Sequence, residues 1–171
     1  LLNFETIKYI VEYSEQNKNH KQIQYSLVTN TLLLNEKMIQ FFKKYDVSIS
    51  TSLDGCKEVH NSNRPKIDGD GTYDYVNRNI KWLQSNDIQV GAIETTISLK
   101  NAGKIIETYH NLGLNHLFIR PLTPLGYAKE HWSEIGYEPE EFLEFYKQCI
   151  LILLEYNRNG IRMSEGHARI F

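Results

Sequence analysis

Segments of helical period and segments of strand period alternate along this chain, and that alternation admits few folds. Phe4, Ile7, Ile10 and Val11 recur every three to four residues behind Asn3, a helix-capping residue type, which predicts a helix over about 4–16. Ile23 to Val28 has period two and predicts a strand ending near Thr29-Asn30; Asn35 to Tyr45 is helical again, with Met38, Ile39, Phe41 and Phe42 on one face. The stretch Val47 to Leu53 alternates most cleanly, with Val47, Ile49, Thr51 and Leu53 on one side and Ser48, Ser50, Ser52 and Asp54 on the other. Asp54-Gly55 is a turn signal that opens a polar loop to Gly71, with one helical turn expected around Lys57 to His60. Thr72 is the expected cap of a helix reaching about Ser85. Ile88 to Ile97 is the third predicted strand, Asn101 to Leu112 a helix closed by Gly113, and His116 to Pro121 the fourth strand. Beyond a loop punctuated by proline and glycine, Pro139 opens a long helix to about Asn157, with Glu138, Glu140 and Glu141 at its positive dipole end.

Four strands and five helices in this order imply βαβ units and a parallel sheet. A closed eightfold barrel takes roughly 250 residues. A chain of 171 is therefore expected to form a small open α/β sheet or part of a barrel. Charge narrows the partners: 19 Lys+Arg against 21 Asp+Glu leaves a net −2, without the basic face that nucleic acid requires, so no nucleic-acid role is expected. The longest apolar run, Cys149 to Leu154, is far short of the ~20 residues that span a bilayer, so no membrane role is expected either. The two cysteines, Cys56 and Cys149, form no C-x-x-C, which removes a disulfide framework and suits a reducing, cytoplasmic setting. Asp68-Gly69-Asp70-Gly71 has a calcium-loop look but lacks the downstream glutamate, so no metal ligand is assigned. There is no glycine-rich phosphate loop after a strand, no H-E-x-x-H and no G-x-S-x-G.

Ligands of parallel α/β folds bind at the carboxyl ends of the strands, and here those ends are polar. Gln24, Ser26 and Asn30 oppose the aliphatic face of the first strand; Ser48, Ser50 and Ser52 do so in the second. The fourth strand carries His116, Phe118 and Arg120 on one face, and the third offers Glu94 and Thr96. Glu94 and Arg120 are expected either as a buried ion pair or as part of a substrate cavity.

The run Ser52-Leu53-Asp54-Gly55, then Lys57-Glu58-Val59-His60-Asn61 and Asn63-Arg64-Pro65, then Gly71-Thr72-Tyr73-Asp74, resembles the fourth-strand region of radical S-adenosylmethionine (radical SAM) enzymes. Within them it is similar to the peptide- and protein-modifying group that includes anaerobic sulfatase-maturating enzymes and other maturases with a C-terminal cluster-binding SPASM domain. Thr29-Asn30 with Leu32-Leu33 resembles that group's third-strand end, and Leu1-Leu2-Asn3 resembles the residues directly after its Gly-Gly-Glu-Pro motif. Glu140-Glu141-Phe142-Leu143 and Glu165-Gly166-His167-Ala168 are loosely similar to maturases of His-Xaa-Ser peptide systems. The Ser52 to Arg64 stretch is the specific part; the helices match in pattern only.

The resemblance implies a partial (β/α)6 barrel of which this chain supplies strands three to six: residues 1–160 as its central part, 161–171 as the start of a connection to a C-terminal domain. It implies S-adenosylmethionine and a [4Fe-4S] cluster as cofactors, an external electron donor, and a peptide or protein substrate from which a 5'-deoxyadenosyl radical takes a hydrogen atom. By motif, Ser52 would hydrogen-bond the cofactor, Arg64 would hold its carboxylate with a two-donor fork, Leu122 would contact the adenine and Asn30 is a fourth candidate. Each also has a plainer reading: Ser52 as a small turn residue, Arg64 as a brace to Asp54 or Asp68, Leu122 as core, Asn30 as a cap. No catalytic residue is assigned.

Departures from the family are equally specific. The C-x3-C-x2-C that holds the cluster is missing from the sequence, Cys56 stands where proline is usual and Thr31 where glycine is usual. Cys149 has helical spacing with Phe142, Phe145 and Ile152 and is expected in the core. The chain by itself is therefore expected to bind S-adenosylmethionine without cleaving it. A second expectation is a non-catalytic peptide-binding or scaffold module derived from a degenerate barrel, with Tyr127, Trp132 and Tyr137 as exposed aromatics.

Overall fold

The computed structural model describes residues 3–97 and 99–168, with the side chains of Thr95 and Thr96 left aside. The expectations for Leu1-Leu2, for the Thr96 side chain and for the tail beyond Ala168 fall outside the described residues. In chain order the elements are α1 (Phe4–Asn17), β1 (Tyr25–Thr29), α2 (Glu36–Lys44), β2 (Val47–Ser52), α3 (Lys57–Asn63), α4 (Tyr73–Ser85) and β3 (Val90–Thr96). There follow α5 (Ala102–Asn111), β4 (His116–Pro121), α6 (Tyr127–Glu130), α7 (Trp132–Ile135), α8 (Pro139–Arg158) and β5 (Ser164–Glu165).

Local chemistry accounts for most of these boundaries. The Asn3 side chain accepts the Thr6 N–H and the Asn35 side chain accepts the Met38 N–H, each satisfying an amide that the first helical turn leaves unpaired. Pro139 starts α8 behind a reciprocal cap, in which the Glu141 carboxylate accepts the Glu138 N–H at 2.9 Å. Gly113, at φ +67°, ends α5, with its own N–H on His110 O and that of Leu114 on Tyr109 O, both at 2.9 Å. Thr72, expected to cap α4, makes no side-chain cap bond. Its hydroxyl is engaged outside the helix instead: it donates to Arg64 O at 2.7 Å, and its oxygen faces His60 Nε2 at 3.0 Å.

Three further differences concern features that short-range pattern leaves out. The helical turn at Lys57 extends to a helix through Asn63, and the segment before Pro139 holds α6 and α7, one turn each. A fifth strand pairs with β4, Ser164 against His116 and Glu165 against Leu117, where four strands were expected. Two residues are too few for period two to register.

All five strands are parallel and lie in the order β1-β2-β3-β4-β5, each beside its predecessor. An unreversed order of right-handed crossovers places every helix on the same face, which is barrel winding, not the doubly wound kind. Burial bears this out. On the covered face Val47 and Ile49 pack with Val11 of α1, Met38, Ile39 and Phe42 of α2, and Leu83 of α4. Ala92, Leu117 and Ile119 pack with Val76 and Ile80 of α4, Ile105, Ile106 and Tyr109 of α5, and Phe145, Cys149 and Leu153 of α8. Phe4 meets Phe41 edge-on at 5.3 Å and locks α1 onto α2.

Truncating a side chain in this layer removes apolar burial and leaves a cavity. Ile106→Ala, at a fully buried position, is expected to cost about 2–5 kcal/mol in urea unfolding, whereas Leu125→Ala, 73% exposed, is expected to stay within about 0.5 kcal/mol of wild type. Equal effects at the two positions would contradict this assignment of the core.

Candidate functional site

On the sheet face without helices the serines of β2 line up in rows with residues of the neighbouring strands. Val28 pairs with Ser50, and Ser50 with Gly91; nearer the carboxyl ends, Ser52 pairs with Ile93, and Ile93 with Phe118. Aligned residues of parallel strands share a face, so Ser48, Ser50 and Ser52 lie on the open side with Ile93, Phe118 and Arg120. His116 Nδ1 and Ser164 Oγ are hydrogen-bonded at 3.0 Å, and Phe118 stacks on His167 with ring centroids 4.5 Å apart. The same register separates Glu94 from Arg120. Glu94 aligns with Ile119 on the helix side, whereas Arg120 aligns with Thr95 and is exposed. The expected ion pair is therefore not formed, and Glu94 is no part of the open face.

Just past β2 the chain closes a ring of four polar contacts. Arg64 donates from Nε and Nη2 to the two carboxylate oxygens of Asp54 at 2.8 and 3.0 Å, a two-pronged geometry that lysine could not supply. The Asp54 N–H donates to His60 Nδ1 at 3.2 Å, which makes Nε2 the protonated nitrogen; it faces Thr72 Oγ1 at 3.0 Å, and that hydroxyl passes its proton to Arg64 O. Asp54 is 1% exposed and His60 fully buried, so each depends on these partners. Burial holds the His60 imidazole below its ordinary 6.5, with the Asp54 charge opposing and the Arg64 charge reinforcing the shift. Gly55 cannot be replaced cheaply. Its φ is +62°, and a Cβ there would lie 2.8 Å from Ile105 Cγ1.

Arg64 thus braces the loop through Asp54, the plainer of its two readings, and its side chain also remains 32% exposed at the carboxyl edge. Ser52 ends β2, half-buried on the open side. Asn30 follows β1, exposed, its Oδ1 3.3 Å from the Leu32 N–H as a local turn. Its neighbour Thr31 keeps the left-handed backbone of a glycine at φ +59°. A β-branched residue there is strained, and three close contacts hold it: its N–H on Thr29 Oγ1 at 3.1 Å, its hydroxyl on Asn30 O at 2.7 Å and its carbonyl on Asn79 Nδ2 at 2.9 Å.

Leu122 follows β4, and its N–H donates to Tyr137 Oη at 2.6 Å. Its side chain lines an apolar cavity of about 490 Å³ with Pro121, Trp132, Tyr137, Phe142 and Leu143. Of the three aromatics expected to be exposed, only Tyr127 is; Trp132 and Tyr137 are half-buried in this cavity wall, where the Tyr137 ring lies 6.2 Å from that of Trp132 and 6.2 Å from that of Phe142. Glu165, in a strand too short to read from sequence, accepts from Ile119 N at 3.1 Å, Ala168 N at 3.0 Å and the Tyr146 hydroxyl, and so ties the tail to β4 and α8.

The described residues do not fit an iron–sulfur cluster. Among the described residues no three His, Cys, Asp or Glu side chains are grouped to hold a metal, and Cys149 is buried, its thiol pushed up to about 12 by desolvation.

No protein-family model matches the chain. It is similar to the cysteine-type anaerobic sulfatase-maturating enzymes of Clostridium perfringens, 26% identical over 153 residues, and of Clostridium novyi, 30% identical over 103 residues. Those alignments cover 88% and 60% of this chain, but it spans only 41% and 26% of the length of those relatives. Among solved structures, native anSMEcpe with bound AdoMet and a Kp18Cys peptide superimposes on 95% of this chain and 46% of its own, with a TM-score of 0.83 and 23% identity. Streptococcus suis SuiB bound to S-adenosylmethionine covers 93% of this chain and 34% of its own, with a TM-score of 0.66 and 10% identity. The resemblance drawn from the Ser52 to Arg64 stretch holds: in sequence and fold this chain is radical SAM maturase-like, an α/β chain with the parallel sheet of those enzymes.

Arg64→Ala would remove the cation that faces the buried Asp54 carboxylate, leaving the Asn63 amide at 3.3 Å, and is expected to cost about 3 kcal/mol in denaturant unfolding, with Arg64→Lys recovering only part of it. A folded-state imidazole held below 6.5 contributes stability that is present above that value and lost as pH falls through its lowered one. The melting temperature of wild type is therefore expected to decline on the acid side of 6.5 more steeply than that of His60→Asn.

Proposed function

We propose that this chain is the S-adenosylmethionine-binding central part of a radical SAM enzyme that modifies a peptide or protein side chain, with residues 1–160 in the partial barrel and 161–171 leading toward a further domain. What supports the reading is the edge where β1, β2 and β4 end: Ser52 closes β2, Arg64 forks onto Asp54 two residues further on with its side chain half-buried, and Asn30 and Leu122 follow β1 and β4. These residues suit a ligand that is an amino acid at one end and a nucleoside at the other. A cation opposes the carboxylate, hydroxyl and amide groups meet the polar middle, and the apolar wall at Leu122 takes the adenine face.

When bound with a reduced cluster, the cofactor would supply a carbon radical for hydrogen abstraction; the cluster ligands are not among these residues, so this chain alone is expected to bind without cleavage. Peptide-bound anSMEcpe, similar to this chain in fold, supports a peptide substrate. The apolar cavity at Leu122 and Trp132 also favours a second reading, a peptide-binding module without chemistry.

The test is titration of this chain with S-adenosylmethionine, followed by calorimetry and by the NMR signals of Arg64 Nε and the Ser52 amide. Binding that moves both signals is expected, and Ser52→Ala is expected to weaken it about three- to tenfold, the value of one neutral hydrogen bond. A chain that leaves both signals unmoved by S-adenosylmethionine, yet binds peptides, would sink the first reading in favour of the second.

A further inference from the structure

Beneath the Asp54 ring lies a second polar group that the proposed function does not use. Tyr109 of α5 is fully buried, and its hydroxyl oxygen has three partners: Leu53 O at 2.5 Å, Glu94 Oε2 at 2.6 Å and the Gly55 N–H at 3.1 Å. A phenol carries one proton and can accept two. The Leu53 carbonyl has no proton to give, so it must receive the phenolic one. The Gly55 N–H can only donate. The third contact, to Glu94, is then satisfied only if the carboxyl group itself donates. We propose that Glu94 is a positioning residue, held as a neutral carboxylic acid that donates to Tyr109 and through it clamps the Leu53–Gly55 backbone from which Ser52 and Asp54 extend.

The surroundings agree. Glu94 is 2% exposed, and burial pushes its carboxyl up to about 8, against the opposing Tyr109 bond. The charged and titratable groups that face it are Tyr109 from α5, Asp54 and Arg64 from the β2–α3 segment and the end of α3, Tyr137 ahead of α8, and Cys149 within α8. Asp54 disfavours a Glu94 charge and Arg64 favours one. Ionising Glu94 would break the proton count at Tyr109 and set a second anion in competition with Asp54 for Arg64.

The consequence for S-adenosylmethionine rests on the function proposed above; the clamp itself does not. Stabilisation from a raised carboxyl value is complete below the ordinary 4.5 and is lost as pH rises to about 8. Glu94→Gln supplies a permanent neutral donor to Tyr109, so it keeps the clamp and discards the titration.

With the glutamate carboxyl carbons labelled in this chain, the Glu94 signal is expected to titrate near 8, and the Arg64 Nε signal to move with the same midpoint. In E94Q the Arg64 signal is expected to hold its low-pH position throughout; in Tyr109→Phe it is displaced at every pH. A Glu94 signal that titrates in the ordinary carboxylate range, or an Arg64 signal indifferent to it, overturns the proposal, and both are read on wild type even if a variant fails to fold. Affinity for S-adenosylmethionine is expected to fall about tenfold above the Glu94 midpoint in wild type and not in E94Q. Absence of binding at every pH defeats the functional reading alone, since the two NMR signals judge the clamp without ligand.

Discussion

Because β1 to β5 pair in chain order, each crossover lays its helix on the same face of the sheet, and the other face receives none. Most of the molecule depends on that constraint. The covered face takes the aliphatic half of each alternating strand, and with it Val11, Phe42, Ile80, Ile106 and Phe145 from five different helices. The open face takes the remaining half, and in β2 those residues are serines. A doubly wound sheet would cover both faces, and the row Ser48, Ser50, Ser52 would then carry buried hydroxyls with few partners.

The carboxyl edge of β2 is where this architecture concentrates polar order. Asp54 enters the interior directly after the strand, and its carboxylate is neutralised by Arg64 from ten residues on, while His60 and Thr72 close the path between them. On the side of α5, Tyr109 spans Leu53 and Gly55 and rests on Glu94. The same short segment is therefore held from the loop side and from the helix side. Such over-determination keeps a strand end at one geometry.

Much of this was legible from residue order. The parallel α/β class, the helix faces, the cap at Asn3 and the strand carrying Ser52 all follow from period and capping chemistry, which act over a few residues. The Ser52 to Arg64 resemblance pointed to the maturase-like fold that the comparisons with known proteins support. Partners that meet only through the sheet could not be read in this way. Thr72 was claimed by Arg64 O and not by its own helix. Glu94 is one residue out of phase with Arg120, so a single step in register decides between an ion pair and opposite faces. β5 was too short to carry a period, and Trp132 and Tyr137 are half-buried because their rings line one cavity with Leu122 and Phe142.

The sequence by itself determined which segments become helix or strand, that the strands lie parallel, and that one edge carries Asn30, Ser52 and Arg64, since these depend on local periodicity and on motif. Tertiary structure alone decided the unreversed strand order, the pairing of Arg64 with Asp54 in preference to Asp68, and the convergence of Leu53, Gly55, Glu94 and Tyr109 on one phenolic oxygen. Those outcomes depend on groups from 10 to 56 positions apart in the chain meeting in the interior, where desolvation makes every unmatched donor and acceptor costly, and no local pattern encodes which of them will meet.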